Sequence, residues 1–114
     1  MHYRQNNPAA ARQARETLLS REYGLTVEQY EQLRKAQNGV CCICGQPERK
    51  AHRNGTPFSL PVDHDHVTGE VRGLLCSNCN SAIGLLGDSV DNVRALLGYL
   101  LDPPARRVLE ASAG

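Results

Sequence analysis

The chain has no tryptophan, one phenylalanine and one methionine among 114 residues. Most of its apolar content is leucine, valine and alanine. A chain of this length buries only about two thirds of its surface on folding. Without large side chains such a core is thin, and a staple is required. The sequence also lacks any apolar run that approaches a membrane span, and its opening, "MHYRQNNPAA", has no apolar leader segment. An intracellular (cytoplasmic) setting without a membrane partner is therefore expected. Thiols stay reduced there, and clustered cysteines favour metal over disulfides. A formal net charge of +1 removes any argument for nucleic acid from total charge. Only the distribution of charge can supply one.

The charge is uneven. Arg4, Arg12, Arg15 and Arg21 sit early and, taken alone, read as a solvated face. "RKAHR", from Arg49 to Arg53, makes a dense basic loop. Asn7-Pro8 reads as a cap and first residue of a helix running to Glu22, with Gly24 as its stop. Thr26 and Gln29 fit a capping box for a second helix ending near Asn38-Gly39, with Val27, Tyr30, Leu33 and Gln37 along one face. After a polar loop over 46–57, "FSLPVDHDH" reads as a strand. Thr68-Gly69 reads as a turn, and Glu70 to Leu75 as a second strand. "SNCNSAIGLLG" is expected to be a short helix closed by Gly87. Asp88 or Ser89 then caps a helix with apolar face Val90, Val93, Leu96, Leu97 and Leu100, ended by Asp102-Pro103-Pro104. The tail "ARRVLEASAG" is expected to fray.

Cysteine supplies the staple. Cys41-x-x-Cys44 and Cys76-x-x-Cys79 are two knuckles separated by a loop and a hairpin. Each presents two thiolates at the spacing that tetrahedral zinc requires. Four thiolates close the coordination sphere, so this zinc, one per chain, is structural. Cys42 stands only two residues from Cys44, too close for the usual knuckle, and reads as a small packed or free thiol.

"DHDH" (Asp63 to His66) has no comparable structural reading. Asp63 and Asn80 offer hard oxygen ligands suited to magnesium or manganese, and a neutral histidine can take a proton from water near pH 7. The bland alternatives are a polar strand edge, or histidines that ligate zinc. Asp65 reads as a supporting or solvated carboxylate, and Asn80 alone would be a helix cap. Strict strand alternation would put Asp63 and His64 on opposite faces. Irregular backbone is therefore expected over 63–66.

"VDHDHVTGEVRGLLCSNCNSAIG", with "YGLTVEQYEQLRKAQNGVCCICG", resembles the phage recombination endonuclease VII family, within the ββα-metal (HNH, His-Me finger) nucleases. The resemblance covers about residues 20–100. It implies a small α+β fold: a zinc-bound ββα-metal domain over 38–101, a helical extension over 1–37 and a tail over 102–114. It implies a metal-dependent DNA endonuclease, with a Mg2+ or Mn2+ ion on Asp63 and Asn80, His64 as general base and His66 as a second motif histidine. Zinc falls on Cys41, Cys44, Cys76 and Cys79. Cleavage would leave 5′-phosphate and 3′-hydroxyl ends. Some family members carry a glutamate three residues beyond the asparagine, where this chain has Ile83. Under this reading Arg49, Lys50, Arg53 and Arg72 are candidate DNA contacts, against a mobile loop for the first three and a water-facing side chain for Arg72. The resemblance also implies a phage protein in a host cell, branched DNA such as Holliday junctions as substrate, and a possible homodimer. The competing readings are an HNH nickase acting on duplex, a non-catalytic zinc module that binds nucleic acid, and a zinc-stapled protein-interaction domain using its last helix. The trio Asp63, His64 and Asn80 separates an enzyme from the others.

Overall fold

The computed structural model describes residues 8–113. Asn7, the expected cap, and Arg4 lie outside them. Helix α1 (Pro8–Tyr23) stops at Gly24, whose φ of 69° is the left-handed conformation that a side chain would strain. Helix α2 (Val27–Ala36) opens with both halves of the expected capping box. The Gln29 N–H donates to Thr26 Oγ1 at 3.0 Å, and the Thr26 N–H donates to Gln29 Oε1 at 2.9 Å. The early arginines are occupied by the chain itself. Arg12 pairs with Glu16 and Glu28, Arg21 pairs with Glu22, and the Arg15 guanidinium lies 4.5 Å over the Tyr30 ring.

The sheet is one antiparallel hairpin, β1 (Val62–His64) with β2 (Val71–Leu74). The first strand is much shorter than the alternation of "FSLPVDHDH" suggests. Pro61 has no N–H to give a ladder, and Phe58 instead donates to the Lys50 carbonyl at 2.9 Å. Together with a bridge between Ala51 and Pro57, that bond turns the expected loop into a miniature hairpin. Helix α3 (Ser77–Leu85) follows β2 and ends where Gly87 takes a φ of 75°. The order β1, β2, α3 gives the α+β arrangement expected from sequence. Helix α4 (Val90–Leu101) is capped by Ser89 rather than Asp88: the Asn92 N–H donates to Ser89 Oγ at 3.1 Å. Residues 104–113 do not fray but form α5 (Pro104–Ala113), with Pro104 at the first helical position, where its missing N–H costs nothing.

Backbone contacts divide the chain into two compact units between Asn80 and Ser81. The first holds the core: Leu19, Tyr30, Leu60, Val62, Leu74 and Leu75, joined by Cys41 and Cys76. Tyr30 is 2% exposed and its hydroxyl donates to the Leu60 carbonyl at 2.7 Å. In the second unit Val90, Val93, Leu96, Leu97 and Leu100, the expected apolar face of α4, are all exposed.

Leu74 joins the parts of the first unit. It is fully buried, and its carbonyl accepts from Gln37 Nε2 at 2.9 Å and from the Cys42 N–H at 3.2 Å. Its N–H donates to Gln37 Oε1 at 2.9 Å. The Gln37 amide thus pairs with β2 as a neighbouring strand would, and it also donates to the Val40 carbonyl at 2.9 Å. Gly73 leaves room beside it: a Cβ there would lie a tight 3.3 Å from Gln37 Oε1. Replacing Gln37 by alanine strands the buried Leu74 N–H and leaves the Leu74 carbonyl with the Cys42 N–H alone. The expected cost is about 1–3 kcal/mol, read as a lower urea midpoint of the zinc-loaded protein.

Candidate metal centre and catalytic hairpin

The sulfurs of Cys41, Cys44, Cys76 and Cys79 all lie within 4.8 Å of one another. Two backbone knuckles put them there. At the first, the Gly45 N–H donates to the Cys41 carbonyl at 3.0 Å, and the Ile43 N–H reaches Cys41 Sγ at 3.4 Å. At the second, the first turn of α3 brings the Cys79 N–H to 3.4 Å from Cys76 Sγ. Cys42 is exposed and outside the cluster, as its spacing indicated.

The thiols do not behave alike without a cation. Burial would raise Cys41, but backbone N–H groups of Cys44, Cys76 and Ile43 and the Cys44 thiol bring it down to about 6. Burial and the three neighbouring thiols push Cys79 up to about 12. One ionised sulfur therefore suppresses ionisation of another. A divalent ion at the centre removes the conflict, and four sulfurs with this spacing could hold one zinc.

Glu48 completes the frame and had no signal in the sequence beyond its place after a knuckle. It is 7% exposed. Its carboxylate accepts from the Ser77 N–H at 3.0 Å, from the Ser77 hydroxyl and from the Arg49 N–H at 3.2 Å. A loop carboxylate thus caps α3 from outside, where the helix dipole favours negative charge. Burial raises its pKa, yet the Ser77 hydroxyl and the two N–H groups outweigh burial and hold it below the usual carboxylate range.

The "DHDH" run divides its labour. Asp65 staples the turn: its Oδ1 accepts from the N–H groups of Val67 at 2.8 Å and Thr68 at 3.0 Å. Those bonds hold its pKa below the ordinary value. His64 is half-buried, its ring 5.6 Å from Tyr23 and 4.9 Å from that of the exposed His66. Asp63 is 7% exposed and lies opposite Gly73. Pairing then jumps to His64 opposite Val71, so Arg72 has no opposite number. The expected irregularity is thus present as a bulge, with its extra residue on the partner strand. Arg72 grips Asp63 from there, Nε to Oδ2 at 2.7 Å and Nη2 to Oδ1 at 3.1 Å. Its side chain meets a carboxylate, so it is neither water-facing only nor unoccupied.

Asn80 follows Cys79 in α3, and its N–H donates to the Cys76 carbonyl at 2.9 Å. Among the described residues the four cysteines are the one metal-ligating group of this kind, and Asp63, His64 and His66 do not form a second. Arg49, Lys50 and Arg53 are exposed on the miniature hairpin, where the His52 ring packs 4.1 Å from that of Phe58.

The pattern of knuckles, hairpin and helix is matched by the family model for recombination endonuclease VII over residues 16–102. The chain belongs to the recombination endonuclease VII family. Its relatives include the Gene 59 proteins of Mycobacterium phages L5 and D29, each 38% identical over 109 residues. Those alignments take in 95% of this chain and 63% and 62% of the respective relatives. The chain therefore spans less than two thirds of the length of the curated relatives it matches. No solved structure matches it. No helix among the described residues is long and apolar enough to cross a membrane.

Two outcomes test this frame. Stripping zinc with a chelator, or Cys79→Ser, is expected to collapse the first unit, because structural zinc supplies roughly 10–16 kcal/mol in small domains. Circular dichroism and metal content would report it together. Glu48 has a depressed folded pKa, so its contribution is full above the ordinary value of 4.5 and fades as pH falls through the folded one. The gap in urea midpoint between wild type and Glu48→Gln is expected to be widest near neutrality and to narrow below pH 4.5.

Proposed function

We propose that this protein is a metal-dependent DNA endonuclease of the HNH type that hydrolyses phosphodiester bonds in phage DNA processing. Branched DNA, Holliday junctions included, is the expected substrate. Family membership supports DNA cleavage. The observation that carries the site is the bulged hairpin, where a buried carboxylate and a half-buried imidazole stand on consecutive residues beside the cysteine frame.

Asp63 and Asn80 are the proposed ligands of the catalytic Mg2+ or Mn2+. One carboxylate and one amide oxygen make a hard donor set, and Asp63 already attracts a cation in the form of a guanidinium. When bound, the ion supplies charge stabilisation at the phosphate oxygens. His64 is the base. Its ring, bracketed by Tyr23 and His66, takes a proton from the attacking water. His66, exposed beside it, is placed to meet the phosphate. The zinc frame does no chemistry; it fixes Asn80 by fixing Cys79 next to it. Arg49, Lys50 and Arg53 supply backbone phosphate contacts, which position DNA without reading its sequence. Ile83, where some family members have glutamate, leaves the Asp63, His64 and Asn80 set intact.

The exposed apolar face of α4 favours a homodimer, which would cover it and would let both strands of a junction be cut. The decisive comparison is wild type with His64→Ala on a labelled four-way junction and a matched duplex in magnesium. Both proteins must first be shown to hold one zinc per chain. His64→Ala is expected to cut about 100-fold slower or less detectably still. Preference for the junction supports resolution, and equal nicking of duplex supports the nickase. Binding by both proteins with cleavage by neither, in manganese as well, would leave only a zinc module that binds nucleic acid.

A further inference from the structure

The Asp63–Arg72 pair raises a question that the nuclease reading does not answer. A carboxylate meant for a divalent ion is engaged on both oxygens by a guanidinium. Moreover, the arginine reaches it from the position where the strand pairing skips a residue. From this geometry, and resting on the nuclease reading, we infer that Arg72 is an electrostatic latch on Asp63. It neutralises the carboxylate in the DNA-free protein and moves to a phosphate of the bound strand, so that Asp63 holds its divalent ion more tightly when DNA is present.

Three features support the latch. The first is burial. The Asp63 side chain is 10% exposed, and a carboxylate so far out of water must keep a cation beside it. Arg72 is that cation when no other is present. The second is access. The Arg72 side chain is 33% exposed, so a phosphate can reach the guanidinium while the carboxylate stays enclosed. The third is equivalence of partners. A phosphate offers the same two-oxygen edge as a carboxylate, and the planar fork of arginine suits both. Exchanging one for the other keeps the guanidinium satisfied and leaves Asp63 in need of a new cation.

The guanidinium and a divalent ion repel each other across one carboxylate. DNA binding, by drawing Arg72 away, strengthens ion binding, and linkage makes the effect reciprocal. A rival role is that Arg72 merely orients Asp63 as a partner behind a metal ligand. Removing such a partner typically weakens metal binding about 10–100-fold. The latch predicts the opposite sign.

Calorimetric titration of Mn2+ into zinc-loaded protein without DNA separates the two. Arg72→Met is expected to bind Mn2+ about tenfold or more tightly than wild type, because the buried charge is left uncompensated. Arg72→Lys keeps the charge but loses the fork, and should shift affinity the same way by less. It carries the test if the methionine variant does not hold zinc. Asp63→Asn should abolish the binding event. Unchanged or weaker Mn2+ binding in the arginine variants overturns the latch, as does binding that survives Asp63→Asn. Cleavage by wild type alongside unchanged affinity in the arginine variants would sink the latch alone. Tighter Mn2+ binding by those variants with no cleavage by wild type would sink the nuclease reading and leave the latch.

Discussion

Four sulfurs within 4.8 Å of one another cannot all be thiolates unless a cation lies between them. That constraint organises the first unit. The two knuckles come from distant parts of the chain, one before the hairpin and one at the start of α3. With one phenylalanine and no tryptophan in the sequence, a metal held by the four sulfurs would take the place that an aromatic core would fill. Leu74 then transmits the constraint, since its carbonyl receives the first knuckle through Cys42 and α2 through Gln37. Glu48 makes the remaining tie, from loop to helix. The bulged hairpin is thus held on one side by sulfur and on the other by backbone hydrogen bonds.

Much of this was legible in the sequence where the physics is local. The Thr26–Gln29 box, the stops at Gly24 and Gly87 and the cysteine spacing each depend on a few consecutive residues, and each appears as read. Alternation was a poorer guide. "FSLPVDHDH" has the rhythm of a long strand, but Pro61 cannot donate to one, and only Val62–His64 pairs. The tail was misjudged because its weak composition says little, whereas Pro104 is well placed to start the helix it forms.

What stayed hidden is long-range. Nothing near Glu48 announces that it caps a helix 29 residues away. Nor does a glutamine at the end of α2 advertise that its amide will pair with a strand 37 residues on. The candidate site residues stood out as types, while the partnership of Asp63 with Arg72 required the register. Four ionisable residues in a row look alike on paper. In the fold, Asp65 belongs to a turn, Asp63 to an ion pair and the two histidines to a ring contact.

The bulge opposite Asp63 and His64 has a consequence for how such a hairpin can drift over generations. Many substitutions in β2 would keep its pairing, because backbone groups carry most of it. Length is another matter. Losing the extra residue of β2 would let the two strands pair without interruption, giving a tidier sheet with no guanidinium on Asp63. Val71, Gly73 and Leu74 would keep their present partners, so the sheet would survive while the buried carboxylate lost its cation. Between the histidines and the second knuckle, spelling is freer than spacing.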